Sequence, residues 1–308
     1  MIEDLRLSVE HGKPWAGPIA AFLAEKQRRS GSTRTADSYA GLLRQFFGVS
    51  AKTPDQVNGQ DVFSWAYATG PSGRVPTTNT IGARIAALSS FYRFLIRMDL
   101  VRANPCDALD RPRAVIPAPR GLSATEVQRL LSVIPETPPG LRDKAIILTL
   151  VLTGRRRAEV LGMKAGDLNH ETGKVFYSYR GKGGKTGRRE LPGPAYEAIC
   201  RSLAAWGKAL DTMAPQESLW PGKQTDGISS GTFYAHLQRY LRRAELPPAG
   251  VHIFRHTAAK LRRDAGASLE EVSHFLDHSN LAVTSVYLQR LEGQEDLTWA
   301  KVAGALGL

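Results

Sequence analysis

Cysteine is nearly missing from this chain: there are two in 308 residues, Cys106 and Cys200, far apart. That excludes a disulfide framework and a cysteine-based zinc site, and it fits a reducing compartment. No hydrophobic run approaches the roughly 18 residues of a membrane span; the best apolar stretch, 145–152, is far shorter. The N-terminus places Glu3 and Asp4 where a secretory signal would have a basic segment followed by an apolar one. These absences predict a soluble cytoplasmic protein with no membrane-spanning segment. Clustered carboxylates are missing too, which argues against a site holding two Mg²⁺ ions. Acids are scarce overall, with 29 Asp and Glu against 41 Lys and Arg, a formal net charge of +12. At 42% hydrophobic and 23% charged residues, the chain is a folded one rather than a disordered polyelectrolyte. The basic excess is therefore a surface bias, and it points to an anionic partner, nucleic acid or a membrane face.

What is present divides the chain in two. After a tail at 1–13, residues 14–110 read as helical throughout. The clearest helix spans 78–98, with Ile81, Ile85, Leu88, Tyr92 and Leu95 at steps of three and four. Its opposite face carries Arg84, Arg93 and Arg97, which reads as a solvated face. A linker at 111–121 follows, with Pro112, Pro117 and Pro119 among Arg111, Arg113 and Arg120; proline fixes φ and removes a donor, so the segment is expected to be extended. The second domain, 122–291, opens with Ser123 and Glu126 in the spacing of a capping box. An apolar helix at 141–153 stops at Gly154, and Val175–Tyr179 reads as a strand. A glycine-rich turn and a short returning strand at 189–191 make that a hairpin. Helical patterns fill 196–210, 231–244, 252–264, 268–276 and 281–287, and a tail occupies 292–308. The expected fold class is mainly α in two domains, with a small antiparallel sheet in the second.

The basic charge concentrates at 142–190, where 12 bases face five acids. His252/His256 and His274/His278 are i, i+4 pairs able to face one way on a helix and chelate zinc. The metalloprotease pattern needs Glu beside the first histidine, but Ile253 stands there, and Arg255 sets a fixed positive charge inside the pair. A metal is not expected. Arginines, histidines, lysines and a tyrosine suit a different chemistry. Attack on a phosphodiester builds charge on the non-bridging oxygens, which guanidinium forks and imidazoles stabilise without a metal. A tyrosine hydroxyl is a competent nucleophile if neighbouring bases and cations help remove its proton. A lysine on a hairpin is a suitable donor to the leaving oxygen.

The ordered motifs resemble those of the tyrosine recombinases, the phage-integrase and Xer-type site-specific recombinases. Thr153-Gly154-Arg155-Arg156-Arg157-Ala158-Glu159 is similar to their Thr-Gly-x-Arg-x-x-Glu. Gly181-Lys182-Gly183 is similar to their Gly-Lys-Gly hairpin, and His252 through His256 to their His-x-x-Arg-His box. Leu276-Asp277-His278-Ser279, with Tyr287 nine residues after His278, resembles Leu-Gly-His-Ser and its tyrosine. The resemblance implies catalytic roles for Arg156, Lys182, His252, Arg255, His278 and Tyr287, with Tyr287 as nucleophile and Lys182 as general acid. It implies no cofactor, no metal and no membrane partner. Asp277 departs from the family's glycine, with the expectation of an altered turn or an added carboxylate beside the site. His256 is expected to pack in support.

The resemblance further implies that 14–110 is a helical, SAM-like core-binding domain closing on double-stranded DNA. Arg34, Arg84, Arg93 and Arg113 become candidate phosphate contacts, with Lys185 on the hairpin, while Thr78 and Asn79 become candidates for base edges. The chain starts nearly at this domain, which leads to the expectation of simple inverted-repeat core sites and no arm-site domain. In the tail, Leu297, Trp299, Val302, Ala303 and Leu306 fall in helical spacing. They are expected to dock on a neighbouring copy within a tetramer on DNA. A type IB-like topoisomerase and an inactive DNA-binding relative are the alternatives.

Overall fold

Helix caps and apolar spacing place the elements. The computed structural model describes residues 15–70, 73–113, 120–180, 186–223 and 225–277. The chain forms two compact units, divided between 117 and 118.

The first unit contains helices α1 (Ala16–Ser30), α2 (Thr33–Ser50), α3 (Gly59–Tyr67) and α4 (Thr78–Arg97). Thr77 caps α4 by accepting from the Thr80 amide at 3.3 Å. The stripe Ile81, Ile85, Leu88, Tyr92 and Leu95 is buried along its length. Phe22, Phe46, Phe91 and Tyr92 fill the core with edge-to-face ring contacts, Phe22 meeting Phe91 at 5.3 Å. Arg34 and Asn79 are exposed, as are Arg93 and Arg113, and Thr78 is half-buried.

Arg84 corrects the sequence expectation. It is buried, at 8% exposure, and Nη1 donates to the carbonyls of Trp65, Ala66 and Ala68 at 3.1, 2.9 and 2.8 Å. These carbonyls lie at the C-terminal end of α3, where the regular helix ladder runs out; that of Trp65 also accepts from the Ala68 amide at 3.2 Å. A cation there also meets the negative end of the helix dipole. Apolar periodicity places Arg84 on the face away from the core stripe, but the adjoining helix end needs a donor and draws the side chain in. Arg84 is thus a cap for α3 and not a phosphate contact.

The second unit is built around α6 (Pro138–Thr153), preceded by α5 (Ala124–Ser132). The capping box of α5 forms as the spacing predicts: Ser123 Oγ accepts from the Glu126 amide at 3.2 Å, and Glu126 accepts from the Ser123 amide at 2.8 Å. Thr137 caps α6, Pro138 opens it and Gly154 closes it in the left-handed region at φ 62°. Ala145, Ile146, Ile147, Leu150 and Val151 are buried, so α6 is enclosed nearly all round. Helices α7 (Arg157–Leu161), α8 (Gly193–Ala205), α9 (Ser230–Arg243), α10 (Ile253–Asp264) and α11 (Leu269–Phe275) surround it. Three antiparallel strands, β1 (Leu168–Glu171), β2 (Lys174–Arg180) and β3 (Thr186–Glu190), form one sheet in sequence order.

Strand β3 runs from 186 to 190 rather than 189 to 191, and β1 has no counterpart in the apolar pattern. Its sequence, Leu-Asn-His-Glu, is largely exposed, so alternation is absent. Thr172 and Gly173 turn it into β2 with φ of 48° and 78°, the two left-handed positions of a tight hairpin turn. Among the described residues no helix is long and apolar enough to cross a membrane. The expected helix 281–287 and the 292–308 tail lie outside the described residues.

Arg84→Met keeps most of the volume and removes the cap. Chemical denaturation should show about 2 kcal/mol lost, the usual worth of hydrogen bonds from a charged donor. The salt dependence of DNA binding should stay as in the parent protein; a shallower slope would return Arg84 to the DNA surface.

Candidate active site

The site begins where α6 ends. Gly154 is required twice: its φ is positive, and a Cβ there would lie 2.5 Å from Phe275 Cε1 and 2.9 Å from Leu276 Cδ2. The end of α11 therefore rests directly on the motif loop. Arg255, from the first turn of α10, joins the two segments. Its Nη1 donates to the Gly154 carbonyl at 2.7 Å and its Nη2 to the Leu276 carbonyl at 2.5 Å. It is buried, at 7% exposure. Burial first, then the charges of Arg156 and Arg155, pull its pKa down to about 10, so the guanidinium is still charged at neutral pH.

Arg155 and Arg156 are adjacent but face different surroundings. Arg156 is the N-cap of α7, and Glu159 accepts from both its amide and its Nη1 at 2.9 Å. The Glu159 side chain is 5% exposed while that of Arg156 is 35% exposed. The carboxylate is thus a buried bracket that aims a solvent-facing guanidinium. The Arg155 side chain is 1% exposed. Its guanidinium lies 4.6 Å from the centre of the Tyr179 ring, donates to the Phe275 carbonyl and pairs with Asp277.

Asp277 takes three donors, from Arg155, Tyr179 and Arg189. Burial works against its ionisation. The hydrogen bonds from Tyr179 and Arg155, the Arg155 charge and the Arg189 bond outweigh it and hold the carboxyl far below the usual range. Its φ is 52°, so the chain here turns through the left-handed region that glycine enters freely. Of the two outcomes expected at Asp277, the structure shows the added carboxylate. Gly187, opposite Tyr179 in the β2–β3 register, leaves space for that ring: a Cβ would stand 2.4 Å from its Cζ.

His252 stands exposed at the start of α10. Partial desolvation, then the field of Arg255, Arg157 and Arg156, lowers its pKa. His256 is half-buried one turn on, its ring 6.2 Å from that of His252. Burial, with His252 and Arg255, lowers its pKa to about 4. Both rings are neutral at pH 7. The backbone of His256 also packs against Gly121, where a Cβ would meet its carbonyl oxygen at 2.9 Å. Among the described residues no three His, Cys, Asp or Glu side chains are grouped to hold a metal ion. Arg156, Arg255 and His252 are near enough for the two arginines to depress the histidine. Lys182, Lys185, His278 and Tyr287 lie outside the described residues.

The model of the phage integrase family matches residues 120–293, more than half of the chain. The chain belongs to the phage integrase family. The family's N-terminal SAM-like domain matches residues 19–99. Among relatives of this phage integrase family member, the tyrosine recombinase XerC of Xanthomonas campestris is 28% identical over 273 residues, covering 87% of this chain and 83% of the relative. The tyrosine recombinase XerD of Halalkalibacterium halodurans is 26% identical over 270 residues, covering 85% and 89%. Solved structures share the fold. XerH recombinase in a pre-cleavage complex with its difH substrate has a TM-score of 0.65 at 18% identity, covering 91% of this chain and 83% of that one. A lambda integrase dimer on a core site has 0.66 at 15% identity, covering 90% and 97%.

Sequence reasoning gave no part to Tyr179 or Arg189 and left Glu159 as a motif letter. A signal for Glu159 existed, since Arg156 and Glu159 have capping-box spacing. For Tyr179 and Arg189 there was none, because they reach Asp277 across 98 and 88 residues of chain.

His256 generates a pH dependence of stability. Unfolding returns the imidazole to its ordinary pKa of about 6.5, so below that pH the unfolded chain takes up a proton that the native one refuses. Stability should fall as pH drops from about 6.5 toward 4. In urea titrations at pH 7 and pH 5, His256→Gln should lose less stability between the two than the parent; equal losses would place the titrating group elsewhere.

Proposed function

We propose that this protein is a site-specific DNA recombinase that cuts and rejoins strands through a covalent 3′-phosphotyrosine on Tyr287. The observation that carries the reading is that Arg255 bridges the Gly154 and Leu276 carbonyls while Arg156 and His252 lie close enough to interact with it, with His278 following Leu276 by two residues in the chain. Family membership supports it, as do relatives that are named tyrosine recombinases.

In this reading the Tyr287 hydroxyl attacks a backbone phosphorus. The P–O bond to the 5′-oxygen breaks, leaving the 3′-phosphate on tyrosine and a free 5′-hydroxyl. Arg156, Arg255 and His278 stabilise the charge that builds on the non-bridging oxygens. His252, neutral at pH 7, takes the tyrosine proton, and Lys182 gives one to the leaving oxygen. A 5′-hydroxyl from a partner strand then reverses the step. The phosphotyrosine retains the bond energy, so neither ATP nor a metal ion is required.

Residues 14–110 serve as the core-binding domain and 122–291 as the catalytic domain. Arg34, Arg93, Arg113 and Lys185 contact phosphates, Thr78 and Asn79 approach base edges, and the 292–308 tail docks on a neighbouring copy in a tetramer. The partner is double-stranded DNA with inverted-repeat core sites, and the compartment is the cytoplasm.

A nicked suicide substrate tests the chemistry. Incubated with EDTA, the protein should form a covalent adduct, which Tyr287→Phe abolishes. Arg156→Gln should slow adduct formation by about 100-fold or more while DNA affinity changes a few-fold. An adduct that persists in Tyr287→Phe, or that appears only with Mg²⁺, overturns the mechanism. Binding should weaken steeply with salt, as phosphate neutralisation requires. A flat dependence in filter-binding titrations would count against the dispersed arginines as the grip.

A further inference from the structure

Arg155 and Asp277 are charged residues of the motif region to which the catalytic cycle gives no task. The Arg155 side chain is 1% exposed and that of Asp277 31%. Arginine cannot shed its proton in a protein, so a guanidinium buried this deeply needs a counter-charge. Asp277 is the carboxylate that pairs with it. The like charges of Arg255 and Arg156 stand close by, and Arg155 itself helps depress the pKa of Arg255.

Asp277 also ties together parts distant in the chain. Arg155 belongs to the loop after α6, Tyr179 to β2 and Arg189 to β3. Arg189 donates to the His274 carbonyl at 3.0 Å as well, and the Asp277 amide donates to that same carbonyl at 3.1 Å. The carboxylate therefore joins the motif loop, both strands of the hairpin and the end of α11. It does so on the residue just before His278, at a positive φ that glycine would adopt without cost.

We propose that Arg155 and Asp277 act as one positioning pair, which fixes the turn ahead of His278 to the arginine loop and the hairpin and replaces a glycine turn as a unit. The proposal rests on the recombinase reading, because His278 and Lys182 belong to the segments that the pair connects. Neither partner touches the reacting atoms. Losing Asp277 alone relaxes the backbone but leaves Arg155 buried, charged and unpaired beside two other guanidiniums. Losing Arg155 alone is milder, since Asp277 keeps Tyr179 and Arg189. Losing both removes the stranded charge and leaves a glycine turn.

Single-turnover cleavage of the suicide substrate, at saturating DNA and far below the melting transition, separates positioning from stability. Asp277→Gly should cleave about tenfold slower than the parent, a loss within the range of coupled charged neighbours. Arg155→Met should be about threefold slower, with DNA affinity within about twofold for each. The double variant Arg155→Met/Asp277→Gly should recover to within about threefold of the parent. If Asp277→Gly does not fold, Asp277→Asn carries the comparison: it accepts positive φ but cannot neutralise Arg155, and the same tenfold loss is expected. Parent-like cleavage by Asp277→Gly or Asp277→Asn overturns the pair, as does a double variant no faster than Asp277→Gly. A parent protein that forms no adduct overturns the recombinase reading and the pair's role with it.

Discussion

One buried guanidinium holds the catalytic unit's functional end together. Arg255 donates to the carbonyl of Gly154, where α6 stops, and to that of Leu276, just past α11. Both carbonyls lie at or beyond a helix end, where backbone acceptors lack intrahelical partners. Satisfying them with a single rigid fork fixes the distance between two segments more than 100 residues apart in sequence. Gly154 makes this possible, since no other residue would let Phe275 and Leu276 come so close. Arg155, which donates to the Phe275 carbonyl and pairs with Asp277, ties the same loop to the turn at 277 a second time.

A buried cation brings a constraint of its own, and the surrounding charges answer it. Arg155, Arg156 and Arg255 repel one another, and burial followed by that repulsion depresses the pKa of Arg255. Glu159 and Asp277 offset it, one bracketing Arg156 and the other meeting Arg155. Burial first, and then neighbouring positive charge, favours the neutral form of His252 and His256. A neutral imidazole can accept a proton, which an imidazolium cannot. In the proposed mechanism the charge that stabilises phosphate oxygens thus also helps prepare the base, and one electrostatic arrangement serves both ends of the reaction.

Much of this was legible in the residues, and the exceptions share a cause. Helix α4, the α5 capping box, the buried α6 and the main hairpin follow from apolar spacing and local caps, which are properties of short windows. Strand β1 escaped because its exposed residues carry no alternation, although Glu-Thr-Gly-Lys did offer a turn. Arg84 was misread because periodicity assigns a face and says nothing of a helix end that needs a donor. The Asp277 cluster was visible only as a departure from a motif; its partners come from three separate parts of the chain, which no window spans.

Gly187 has a consequence for the hairpin as a whole. Side chains alternate across a sheet, so a slip of one residue would turn Arg189 to the opposite face and bring Thr186 or Arg188 opposite Tyr179 in place of the glycine. Either residue would bring a Cβ into the ring, and Asp277 would lose a donor. The small residue and the ion pair therefore serve as a gauge of strand alignment, rejecting a one-residue slip of β2 against β3 in either direction.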